Sequence, residues 1–100
     1  MKKNSSKKVT QTNRPTVFAF ESPAAREVSL AADFNHWDAK AQPMQKGSGA
    51  SWSVSVPLKP GRYEYRFVVD GKWVDDPMAK NFVPNPHGGR NAVREVAQPR

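Results

Sequence analysis

Residues 52–74 read WSVSVPLKPGRYEYRFVVDGKWV, and the fold is decided there. Trp52, Val54, Val56 and Leu58 alternate with Ser53, Ser55 and Pro57. Successive side chains of a strand point to opposite faces, so this spacing predicts a strand with one apolar face. Pro57 has no N–H to donate and belongs at an edge or a strand end. Lys59-Pro60-Gly61 predicts a turn. Tyr63, Tyr65, Phe67 and Val69 then alternate with Glu64, Arg66, Val68 and Asp70. That pattern predicts a second strand, paired with the first as a hairpin. Its aromatic set faces the core and Arg66 faces the open side. Asp70-Gly71 is a tight-turn signal, and it leads into the short segment Lys72-Trp73-Val74.

Outward from this stretch, Thr16–Phe20, Glu27–Ala31 and Asn91–Val96 also read as strands. Between the first two, residues 21–25 predict a turn or one helical turn. Residues 33–38, DFNHWD, read as a polar loop holding two aromatics, and Gly47-Ser48-Gly49 as a flexible turn. Val93 and Val96 differ in parity, which predicts a bulge or an uncertain register in the last strand. Nine prolines and six glycines punctuate the chain, and no long helical period occurs. The expectation is an all-β sandwich of about six to eight short strands.

One hundred residues make one domain at most. Cysteine is absent, which excludes disulfides, thiol catalysis and cysteine-ligated zinc. No run approaches the roughly 18 apolar residues of a membrane-spanning helix. The net charge is +7, and Lys2, Lys3, Lys7, Lys8 and Arg14 fall within residues 1–14, which hold no acid. Residues 1–13 are therefore expected to be a disordered, solubilising tail, 14–97 the folded module and 98–100 a C-terminal tail. Such a tail can touch nucleic acid through its charge. The body, however, has no basic stripe, zinc-finger spacing or RNA-reading aromatic signature, so nucleic acid is not the expected partner. The N-terminus lacks the apolar core of a signal peptide, and the expected compartment is cytoplasmic, with no membrane partner.

Catalytic chemistry finds little support. A glycosidase needs two carboxyl groups about 5–9 Å apart across the scissile bond. Asp33 and Asp38 flank a loop and fit side-chain turn bonds instead, and Asp75 and Asp76 are adjacent. His36 and His87 lack metal-ligand spacing, and the serines have no base partner. Gly88-Gly89 lacks the lysine and hydroxyl pattern of a phosphate loop. Neither an enzyme, a cofactor nor a metal is expected. Three tryptophans are the unusual feature. Trp52, in a clean alternation, reads as core. Trp37 and Trp73 sit in polar, turn-like segments. Each either plugs an end of the core or offers an exposed ring to the C–H face of a sugar. Arg66 and Lys72 could donate to sugar hydroxyls, and Asn81 and Asn91 could both donate and accept.

At these residues the chain resembles carbohydrate-binding module family 48. That family includes the glycogen-binding domain of the AMP-activated protein kinase β subunit and the N-terminal domains of branching enzymes and isoamylases. The resemblance rests on VSLAADFNHWD (28–38), PM (43–44), WSVSVPLKPGRYEYRFVVDGKWVDDP (52–77) and NAVREV (91–96), in that order. It implies an immunoglobulin-like, early-set β-sandwich that binds α-1,4-linked glucan, such as glycogen or starch-like maltooligosaccharide, without catalysis. The clamping tryptophans match Trp37 and Trp73, the hydroxyl-binding base matches Arg66, and the amide matches Asn91. His87 stands where kinase-type modules have a leucine, and Gly89 where they have a threonine. His87 and Lys72 complete the expected binding set. The expected partners are α-glucan and a glycogen- or starch-metabolising enzyme or another protein. The alternative is a protein-interaction or scaffold module of the same fold with little sugar affinity.

Overall fold

The computed structural model describes residues 14–97; the expected tails, 1–13 and 98–100, lie outside the described residues. Among the described residues eight strands form: β1 (Arg14–Glu21), β2 (Val28–Ala32), β3 (Gln45–Lys46), β4 (Ser51–Leu58), β5 (Gly61–Val69), β6 (Lys72–Val74), β7 (Asn81–Pro84) and β8 (Arg90–Val96). A 3-10 turn, Asp33–Asn35, follows β2. One sheet has the order β1-β4-β3, and the other β2-β5-β8-β7, with β6 also on β5. All pairings are antiparallel. The chain is an all-β sandwich.

The expected hairpin of β4 with β5 does not form. β4 pairs with β1 and β3, whereas β5 pairs with β2, β6 and β8. The reason is burial. In one two-stranded ribbon, the apolar sets of both strands would share a face with nothing opposite. Crossing to the second sheet sets Trp52, Val56 and Leu58 into one core with Tyr65 and Phe67. Only Lys59 and Pro60 separate the two strands. The Tyr63 hydroxyl donates to the Lys59 carbonyl at 2.6 Å and holds this corner.

Phe18, Phe67, Leu30 and Val28 are almost wholly buried. The Phe18 and Tyr65 rings meet edge-on at 5.0 Å, and Phe20 meets Phe67 at 4.9 Å. These contacts join β1 of one sheet to β5 of the other. Trp52 is 6% exposed and donates its indole N–H to the Ser22 carbonyl at 3.1 Å, in keeping with a core role. The Tyr65 hydroxyl donates to Asp76 Oδ2. Burial first, and this hydrogen bond second, push the Tyr65 phenol well above its ordinary range.

β3 and β7 carry no alternating pattern long enough to foresee. β3 has two residues, and β7 contributes Phe82 to the core. The bulge expected in β8 is absent: its register runs unbroken against β5 and β7. Ala92 and Val96 pack on the core, while Val93 is buried on the opposite face. The mixed parity reflects a strand covered on both faces.

The Asp70-Gly71 turn forms as expected, with φ of 49° and 84°. Two successive positive φ values fit the right-handed twist of the β5–β6 ribbon. Asp70 Oδ1 accepts from the Arg26 and Glu27 amides, both at 2.9 Å. The Glu27 and Arg26 amides, in that order, lower the Asp70 carboxyl below its ordinary value. Its stabilising contribution is complete above the unfolded carboxylate range, about pH 4, and is lost as pH falls through the lowered folded value. Asp70→Asn is expected to lower Tm at neutral pH and to shrink the loss of Tm on acidification. Thermal melts of both proteins between pH 7 and 2.5 check this; an unchanged acid profile would contradict it.

Candidate functional site

The loop after β2 is anchored before it presents anything. Phe34 turns inward against Phe18 and Tyr63, at 6.1 and 5.7 Å. Asn35 Oδ1 accepts from the Ala32 amide at 2.9 Å, and its Nδ2 donates to the Leu30 carbonyl at 3.0 Å. The Trp37 amide donates back to the Ala32 carbonyl at 2.9 Å. This tight return requires left-handed backbone at His36 and Trp37, with φ of 59° and 58°. Each costs on the order of 1 kcal/mol for a residue with a Cβ. Asp38 makes the expected side-chain turn bond, to the Lys40 amide at 2.8 Å. Asp33 does not: its Oδ2 accepts from the Glu64 amide at 3.1 Å and ties the loop to β5.

β5 supplies the floor. Its inward aromatics force Glu64, Arg66 and Val68 to the opposite face. Trp73 lies opposite Val68 in the β5–β6 register and so shares that face. Val93 lies opposite Glu64, which puts Val93 and Asn91, two residues earlier, on the same face. An open cavity of about 820 Å³ results, lined by Asp33, Trp37, Glu64, Arg66, Trp73, Asn85, Pro86, His87 and Asn91. Trp73 is 42% exposed and Trp37 half-buried. Both rings border the groove.

Asn81, also offered by the sequence as a hydroxyl partner, is not among the lining residues, and five of the six residues of the expected binding set meet here: Trp37, Arg66, Trp73, His87 and Asn91. Lys72 does not. It lies opposite Val69, whose side chain packs on the core. Strand alternation sends Lys72 to the face opposite Trp73, away from the groove. Asp33, Glu64, Asn85 and Pro86 were not singled out as groove residues. Glu64 shares the parity of Arg66, which was the available signal. Asn85 is followed by Pro86, a pair that favours turn initiation.

Asn85 organises the last wall. Its Oδ1 accepts from the His87 and Gly89 amides at 2.9 and 3.1 Å, and its Nδ2 donates to Asn91 Oδ1 at 3.1 Å. Asn91 Nδ2 in turn donates to Glu64 Oε1 at 3.1 Å. Asn91 is only 7% exposed, so most of its amide capacity holds the wall together. A Cβ at Gly89 would sit 3.4 Å from Asn85 Nδ2 and 3.8 Å from Arg66 Nη1, so glycine leaves room beside both.

Arg66 donates through Nη2 to Asp75 Oδ1 at 3.1 Å and to the Trp73 carbonyl at 3.5 Å. Its Nε is buried without a partner among the described residues. Among those residues, no group of three His, Asp or Glu side chains could hold a metal ion. Aromatic faces edged by amide, guanidinium and carboxylate groups suit a ligand with flat apolar faces and hydroxyl rims.

The family described as the glycogen recognition site of AMP-activated protein kinase matches residues 14–100. Protein FLOURY ENDOSPERM 6, chloroplastic, of Oryza sativa subsp. japonica is 36% identical over 72 residues, which is 72% of this chain and 13% of that protein. Human 5'-AMP-activated protein kinase subunit beta-2 is 40% identical over 70 residues, covering 70% of this chain and 25% of the subunit. A 1,4-alpha-glucan branching enzyme of Nitrosococcus oceani is 38% identical over 78 residues, covering 71% of this chain and 10% of the enzyme. The chain thus spans between a tenth and a quarter of the length of these relatives. No helix of the described residues is long and apolar enough to cross a membrane.

Asn35→Ala removes both side-chain bonds that hold the loop. It is expected to cost about 1–3 kcal/mol in denaturant unfolding and to shift tryptophan emission to the red as Trp37 is released. An emission spectrum and stability equal to the parent would contradict this role for Asn35.

Proposed function

This chain belongs to the family of the glycogen recognition site of AMP-activated protein kinase, and from that premise we propose that its groove holds an α-1,4-linked glucan between Trp37 and Trp73. The chain is a noncatalytic glucan-binding module of the family 48 type. The observation that carries the finer reading is the meeting of both tryptophans and Arg66 in one open groove, although Trp37 lies 29 residues before Arg66 in the sequence.

In this reading each indole packs on the C–H face of a glucose unit, and the apolar area so buried contributes roughly 25 cal/mol per Å². Arg66, His87 and the remaining N–H of Asn91 meet the sugar hydroxyls. Carboxylate oxygens of Asp33 and of Glu64, beside Asn91, accept from further hydroxyls. His87 is exposed and supplies a ring where kinase-type modules place a leucine, which favours hydrogen bonding over apolar insertion. The groove is shallow, so binding is weak and strengthens with chain length until the groove is filled. The contacts are uncharged on the ligand side, so binding is nearly independent of salt.

Relatives named as a branching enzyme and a kinase subunit support a further part of the proposal: the module brings a glycogen- or starch-metabolising protein to its polymer. The setting we propose is cytoplasmic.

Titration of tryptophan fluorescence with maltoheptaose, beside cellohexaose and at two salt concentrations, tests the reading. Saturation with the α-linked sugar alone, unchanged by salt, is expected. Trp73→Ala, still folded, is expected to weaken binding at least tenfold; binding equal to the parent would overturn the proposal, as would silence of the parent up to about 10 mM.

A further inference from the structure

On the side of β5 away from β2, two strands lie end to end. β8 pairs with Gly61–Tyr65, and β6 pairs with Phe67–Val69. Arg66 falls at the junction and has a ladder partner only on the other side, Ala31 of β2. β6 pairs with β5 alone, so no ladder bond joins it to β8. The groove is divided at the same place. Trp73 stands on β6, while Asn91 and the His87 loop belong to β8 and its approach. Sheet hydrogen bonds fix each half to β5 but not to the other half.

Asp75, just beyond the end of β6, spans this junction. Its Oδ1 accepts from Arg66 Nη2 at 3.1 Å, and its Oδ2 accepts from Arg90 Nε at 3.0 Å. Arg90 opens β8, and its guanidinium lies 3.9 Å above the Phe82 ring of β7. The same Arg66 Nη2 reaches the Trp73 carbonyl. One carboxylate thereby links β5, β6 and β8. Asp75 and the Arg66 side chain are largely shielded, at 33% and 21% exposure, whereas Arg90 is 56% exposed. Shared, partly buried charge pairs hold geometry better than isolated surface pairs do.

Neither Asp75 nor Arg90 belongs to the groove wall. We propose that Asp75 is a positioning residue for the glucan site: it sets the spacing of the Trp73 half against the Asn91 and His87 half and fixes the guanidinium of Arg66. The proposal rests on the glucan-binding reading for its ligand, but its positioning action is a property of the free protein. A ligand long enough to touch both halves feels the spacing; a short one seated on a single tryptophan does not.

The test compares the parent, Asp75→Asn, Arg90→Gln and the double variant, all first shown to be folded by thermal melts. Each single variant is expected to weaken maltoheptaose binding about three- to tenfold. The double variant is expected to lose no more than the worse single one, because both changes break the same bridge. Maltotriose binding is expected to stay within twofold. In the free protein, the Trp73 indole and Arg66 Nε NMR signals are expected to broaden or shift in Asp75→Asn, while Trp52 does not. Parent-like maltoheptaose binding in Asp75→Asn, additive losses in the double variant, an equal loss for maltotriose, or unchanged NMR signals would each overturn the proposal. If the parent binds no glucan while the Trp73 and Arg66 signals still respond, the positioning role stands and the glucan reading falls.

Discussion

Tyr65 and Phe67 turn inward, and what binds ligand depends on that. Their rings lock β5 against Phe18 and Phe20 of the opposite sheet. With those two residues committed to the core, the pleat leaves Glu64, Arg66 and Val68 no other face. The same strand borders β2 on one side and both β6 and β8 on the other. Every wall of the groove is therefore referred to β5. The buried bond from the Tyr65 hydroxyl to Asp76 extends this control past β6, because Asp76 Oδ1 also accepts from the Met78 amide at 2.8 Å.

Rigid support and ligand contact fall on neighbouring residues rather than on the same ones. In the loop after β2, Phe34 and Asn35 are spent on the core and the backbone, and Trp37 faces the groove. Before β8, Asn85 holds two amides and Asn91, and His87 stands exposed. The strained backbone at His36 and Trp37 is tolerated because the anchors on either side of it are satisfied.

The parts legible in the sequence were those governed by period-two alternation and by turn chemistry. β4, β5, β6 and the Asp70-Gly71 turn appear close to where the pattern puts them, and so do the inward aromatics and outward Arg66. The partner of β4 was not legible. Alternation reports which face is apolar and is silent on which strand lies alongside, so the link through Lys59 and Pro60 read as a hairpin. Lys72 was misplaced for a related reason: it adjoins Trp73 in sequence, and adjacency in a strand means opposite faces. Asp33 acts through the Glu64 amide, 31 residues away and brought near by tertiary folding, a role that residue type alone does not reveal.

The division of β4 and β5 between two sheets also bears on how the chain reaches this state. The groove sheet contains two local ribbons, β5 with β6 and β7 with β8, and such ribbons form in roughly 1–10 μs. They carry Arg66, Trp73 and Asn91, with His87 in the connection between β7 and β8. The back sheet has no equivalent for β1, whose partner β4 begins 30 residues after β1 ends. Closing that pair bears a loop entropy that local ribbons avoid, and sandwiches dominated by such pairings fold in milliseconds to seconds. The ribbons that carry Trp73 and Asn91 thus close locally, whereas joining them through β5, and setting β2 with its Trp37 loop beside β5, needs the same kind of long-range closure as β1 with β4.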